Sequence, residues 1–117
     1  MQYCATYSTD VETTQLLKGV LDLAVLSVLA AEDGYGYDVV RRLRDTGLAD
    51  VAEASVYGTL RRLFRSGCLS SYVVPSEEGP HRKYYALNAR GRRSLEEMVK
   101  AWNGFTEVVD RLVKEAA

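Results

Sequence analysis

The stretch Glu53-Ala-Ser-Val-Tyr-Gly-Thr-Leu-Arg-Arg-Leu-Phe-Arg-Ser-Gly67 decides how this chain is read, together with the segment that continues from it to Arg93. Val56, Tyr57, Leu60, Leu63 and Phe64 fall at i, i+1, i+4, i+7 and i+8. That spacing predicts a helix over Glu53–Ser66 with a single core stripe. Gly67 ends it. Two strand-like runs come next, Leu69–Val74 and His81–Leu87, joined by a turn carrying Pro75, Gly79 and Pro80. A basic helix succeeded at once by a basic-tipped hairpin is the order of a winged helix-turn-helix. The expected fold class is mainly α with a small β-hairpin, plus a C-terminal helix.

Upstream, Thr14–Ala31 reads as a first helix whose apolar residues point in every direction, so it needs cover on all sides. One chain of 117 residues covers one face, which points to a second subunit for the other. Asp33-Gly34-Tyr35-Gly36 breaks that helix. A second runs from Tyr37 to Asp45 with Val39, Val40 and Leu43 on one face, and Thr46-Gly47 closes it. Residues 1–13 read as a loose polar arm. The domain reading is therefore 1–13 as arm, 14–87 as winged helix-turn-helix and 88–117 as dimerisation helix.

That last helix is expected to start at Ala89 with Asn88 as its cap. Leu95, Met98, Trp102, Phe105, Val109 and Leu112 recur at gaps of three and four. This is a heptad seam of about two and a half repeats, widened by Val99, Val108 and Val113. It fits either a dimer interface or packing on the chain's own domain; the uncovered first helix favours the dimer.

The formal net charge of −1 conceals an uneven distribution. Residues 55–93 carry eight basic groups against two acidic ones, a net of +6, while the flanking segments are acidic. Phosphate contact depends on such a local block and not on the whole molecule. In a helix-turn-helix the second helix enters the major groove of double-stranded DNA. Ser55, Gly58 and Thr59 would allow close approach, while Arg61, Arg62 and Arg65 would meet phosphates or a guanine edge. Gly58 costs a helix about 1 kcal/mol relative to alanine. Either close approach to DNA or relief of crowding against a neighbouring helix explains it. On the hairpin, Glu77 and Glu78 occupy the tip, so contact is expected from His81, Arg82 and Lys83.

Several function classes are disfavoured. With 47% hydrophobic and 26% charged residues the composition is that of an ordinary soluble domain. No signal peptide or membrane span is recognisable, so a cytoplasmic protein without membrane contact is expected. Cys4 and Cys68 form no disulfide or metal pattern, and Cys68 reads as a small core residue. His81 is the only histidine and has no ligand cluster around it, so no metal, cofactor or catalytic role is expected.

Taken in order, Lys18-Gly-Val-Leu-Asp-Leu-Ala-Val-Leu-Ser-Val-Leu29, Gly34-Tyr-Gly-Tyr-Asp38, Ser55-Val-Tyr57, Leu60-Arg-Arg-Leu63 with Gly67, Arg82-Lys-Tyr-Tyr-Ala-Leu87 and Arg90-Gly-Arg92 resemble the PadR family of transcriptional regulators. The single C-terminal helix is similar to the small, multidrug-binding branch of that family. The resemblance implies a homodimeric winged-helix repressor of an operator with dyad symmetry, and places Tyr37 and Tyr57 in the DNA-binding region. It also implies a pore between subunits, lined by Leu16, Leu23, Val99, Trp102 and Thr106, where Trp102 stacks on small planar aromatic ligands. Interface core is the other role open to Trp102. Two departures stand out. Gly58 replaces the proline common after the tyrosine, and Thr106 replaces an acid, so a preference for cationic ligands is not implied. The rival functional reading is a winged-helix module that binds protein without DNA.

Overall fold

The computed structural model describes residues 19–117. Apolar stripes on three short helices account for most of the architecture. Helix α1 (Leu21–Ala31) buries Val25, Leu26 and Leu29. Helix α2 (Gly36–Asp45) adds Val39, Val40 and Leu43, and α3 (Glu53–Arg65) adds Val56, Leu60 and Leu63. Their i, i+3/i+4 spacing turns one stripe of each helix into a common core. The carbonyls at the end of α1 would be orphans. Arg42 of α2 caps them, donating to the carbonyl oxygens of Val28 (3.3 Å), Glu32 (3.1 Å) and Asp33 (3.3 Å). Asp38, one turn back, pairs with its Nε at 3.3 Å. One side chain thus ties α2 to the end of α1, beside their packed core residues.

The ends of α2 and α3 use glycine with positive φ, Gly47 at φ 125° and Gly67 at φ 85°. The hairpin pairs β2 (Leu69–Val74) with β3 (Arg82–Leu87), from Leu69 opposite Leu87 out to Val74 opposite Arg82. A third strand, β1 (Gly34–Tyr35), lies antiparallel on the other edge of β3, giving the order β1-β3-β2. This strand is the two residues that read in sequence only as a helix break. Within β3, Tyr85 is buried and Tyr84 lies on the opposite face, as period-two alternation requires.

Helix α4 (Ala89–Ala116) is about 42 Å long at 1.5 Å per residue. Asn88 caps it, accepting from the Gly91 amide at 2.9 Å and donating to the Gly67 carbonyl at 2.8 Å. Gly91 is where α4 crosses the hairpin. A β-carbon there would run into the Cys68 carbonyl and sit 2.7 Å from the Leu87 side chain. Leu95 and Met98 then pack against the core shared by α1 to α3.

Two expectations are corrected. The first helix begins at Leu21, after a turn at Gly19 and Val20, where a glycine weakens helix propagation; Thr14–Lys18 lie outside the described residues. Phe64 is not core but 39% exposed, because it stands at the flank of α3 and meets Tyr85 edge-on with centroids 6.4 Å apart.

Candidate nucleic-acid interface and inter-helix cavity

Helix α3 has three kinds of surface. Val56, Thr59, Leu60 and Leu63 turn inward, and Thr59 is only 6% exposed. It therefore leaves the set of groups available to DNA, because its place beside Leu60 and Leu63 falls within the core stripe. Ala54, Gly58, Arg61 and Arg65 follow the i, i+4, i+7, i+11 spacing of the opposite, outward face. Nothing lies within 4 Å of a β-carbon built at Gly58, so crowding is not its explanation. Tyr57 is half-buried and rests on Gly36, whose missing side chain makes the room. Burial, followed by the charge of Glu53, raises the Tyr57 hydroxyl above its ordinary pKa.

The hairpin delivers cations to the same side. The Arg82 guanidinium lies 4.5 Å over the Tyr35 ring. The Lys83 ammonium lies 4.8 Å over Phe64 and 5.4 Å from the Tyr85 ring. Cation–π contacts of this kind hold long side chains in place before a phosphate arrives. A groove of about 420 Å³ results, walled by Tyr35, Tyr37, Tyr57, Arg61, Arg82 and Lys83. Arg61 of α3 and the two hairpin cations are thus brought together, with Tyr37 beside them. His81 is exposed just outside the strand, and Arg65 lies further along α3. Sequence reasoning missed Ala54, Tyr35 and Phe64. Cross-strand register would have found the second: Tyr35, Tyr84 and Tyr72 form one row across the sheet. Tyr84 stacks on Tyr72 with centroids 5.5 Å apart, and the Tyr72 hydroxyl donates to Asp33 at 2.7 Å, anchoring β2 to the end of α1.

Arg62 does not join this group. It turns toward α1, where Nη1 donates to Asp22 Oδ2 at 3.0 Å and Nη2 donates to Oδ1. This bidentate bond raises the Arg62 pKa above its ordinary value. A residue next in sequence to Arg61 is carried about 100° around the helix and onto another surface. Ser55, seven residues earlier, is exposed on the same flank.

That other surface is a cavity of about 980 Å³ between the start of α1 and the middle of α4. Leu23, Trp102 and Thr106 line it, as do Met98 and Phe105. Among the described residues, its charged groups are Asp22, Arg62 and Asp110. Of the remaining pore positions, Val99 is exposed but is not among the lining residues, and Leu16 lies outside the described residues. The heptad seam divides in two. Leu95, Met98 and Val109 are partly covered, whereas Trp102 (40%), Phe105 (63%) and Leu112 (60%) stand open.

Residues 25–97 match the family model of the transcriptional regulator PadR-like family. This chain belongs to that family. A PadR-like transcriptional regulator from Bacillus cereus shares 33% identity, with 85% of this chain and 96% of that one covered, at a TM-score of 0.75. A PadR family regulator from Eggerthella lenta shares 33% over 86% of this chain and 88% of its own, at 0.78. A Streptococcus transcriptional regulator shares 31% over 84% and 96%, at 0.74. The winged-helix body with its C-terminal helix is therefore the PadR-like fold. Among the described residues, no helix is long and apolar enough to cross a membrane.

Proposed function

We propose that this PadR-like regulator is a homodimeric repressor that reads double-stranded operator DNA through Arg61, Arg65, Arg82 and Lys83. The observation that carries this reading is the meeting of α3 and hairpin cations around one groove, three of them with Tyr37 at its wall. Two such heads related by a two-fold axis suit half-sites about one helical turn apart, or a small multiple of that. Gly58 and His81 flank the contact, while Ser55 lies on the Arg62 flank of α3. The open strip Trp102–Phe105–Leu112 is the dimer interface, because solvent-facing aromatics at heptad spacing call for a second helix. A planar aromatic ligand between the subunits would change the separation of the two heads and release the operator.

The test is a gel shift with DNA from upstream of the regulator's own gene, at two salt concentrations and with excess competitor. Arg61→Ala and Lys83→Ala each lower affinity about tenfold and reduce the salt slope by about one. Arg62→Ala leaves the slope unchanged. A wild-type chain whose binding ignores salt points instead to a protein partner. If Arg61→Ala and Lys83→Ala bind as wild type does, the groove is not the DNA face.

A further inference from the structure

Among the described residues, the cavity meets the recognition helix at Arg62, which is ion-paired with Asp22. Asp22 belongs to α1 and Arg62 to α3, and both line the cavity on whose far wall Trp102 and Phe105 stand. The pair is open to an incoming molecule, with 33% of the Asp22 side chain and 59% of the Arg62 side chain exposed. Among the described lining residues the acids outnumber the bases, Asp22 and Asp110 against Arg62. That base is already committed to Asp22. Among the described lining residues, a neutral or anionic guest would find aromatic walls and no donor of positive charge other than the paired Arg62. A cationic aromatic guest would find both the walls and a carboxylate, provided that it takes Asp22 from Arg62.

We infer that the Asp22–Arg62 ion pair is the contact through which a small aromatic cation in this cavity acts on α3: the cation takes Asp22, and Arg62 is released. This inference rests on reading the cavity as a ligand site, and it supplies the ligand class and the coupling. Asp110, one turn beyond Thr106 on α4, adds a second carboxylate to the lining. Exchange of partners at Asp22 removes a bidentate side-chain bond between α3 and α1, leaving their core packing in place. Because the cation competes with Arg62, its affinity differs between the paired and unpaired states, and that difference is what couples a ligand to a helix.

The competition has a sign that a merely structural ion pair would not produce. The probes are 1-naphthylmethylammonium and its neutral near-isostere 1-naphthylmethanol, titrated calorimetrically into the full chain. Wild type is expected to bind the cation about fivefold more tightly than the alcohol. Arg62→Ala should bind the cation several-fold more tightly still, with the alcohol unchanged. Asp22→Asn should bring the two probes close together. In gel shifts the cation should weaken DNA binding of wild type but leave Arg62→Ala indifferent, although that variant holds the cation better. If both probes bind wild type equally and Arg62→Ala changes neither, the cavity stands as a ligand site and the ion pair is not its sensor. If neither probe binds any variant while all remain dimeric, the cavity reading fails and the inference fails with it.

Discussion

The winged-helix body and the outer half of α4 have similarly apolar stripes but differ in what the chain does with them. In the body, Val25, Leu26, Val39, Val40, Val56 and Leu60 are sealed to 1% exposure or less by three helices meeting at one place. In the outer half of α4, Trp102, Phe105, Val108, Leu112 and Val113 have the spacing of a packed seam and stay open to solvent. The body answers its own hydrophobic pattern. Among the described elements none covers this part of the helix, and on the proposed dimer reading its pattern serves a second copy of the chain. Stability and assembly should therefore be separable by mutation.

Leu60→Ala is the largest expected effect. Deleting a fully buried leucine should cost about 2–5 kcal/mol of unfolding free energy, read by denaturant titration. Gly91→Ala should come second at about 1–3 kcal/mol, since its methyl group meets the Cys68 carbonyl. Phe105→Asp should do the converse. At 63% exposure the ring contributes little to the body, so far-ultraviolet dichroism stays native. Analytical ultracentrifugation at micromolar concentration should show the variant as monomer and, on the proposed reading, wild type as dimer. A Phe105→Asp dimer, or a Phe105→Asp chain that unfolds, would erase the contrast between the two regions.

Much of the fold is legible in the sequence where a pattern reports on the residue's own element. Helices α2 and α3, the hairpin, the Asn88 cap and the alternation of Tyr84 and Tyr85 arise from periodicity and turn chemistry alone. Illegible are the features set by a distant partner. Strand β1 exists only because β3 lies alongside Gly34 and Tyr35, and two residues carry no period. Arg62 looks like Arg61 in sequence because composition does not record where Asp22 sits, forty residues earlier. Phe64 fits the core stripe, yet the neighbouring Lys83 and Tyr85 make it a surface platform. Thr59 suits a DNA face chemically, but its angular position beside Leu60 decides its burial.

Gly58 offers the smallest effect and the finest division between folding and function. It occupies the outward face of α3, in open space, in the middle of a helix where glycine is costly. Gly58→Ala should therefore stabilise the body by about 0.5–1 kcal/mol, seen as a small rise in denaturation midpoint with no change in dimerisation. If the recognition helix approaches DNA as closely as its bare surface allows, the same methyl group should weaken operator binding several-fold, and Gly58→Val more so. The two readouts then move in opposite directions. A variant that is more stable and binds DNA as well as wild type would show that the glycine's backbone is not pressed against the groove. The contacts would then lie with Arg61, Arg65 and the hairpin cations, whose longer side chains reach across the remaining gap.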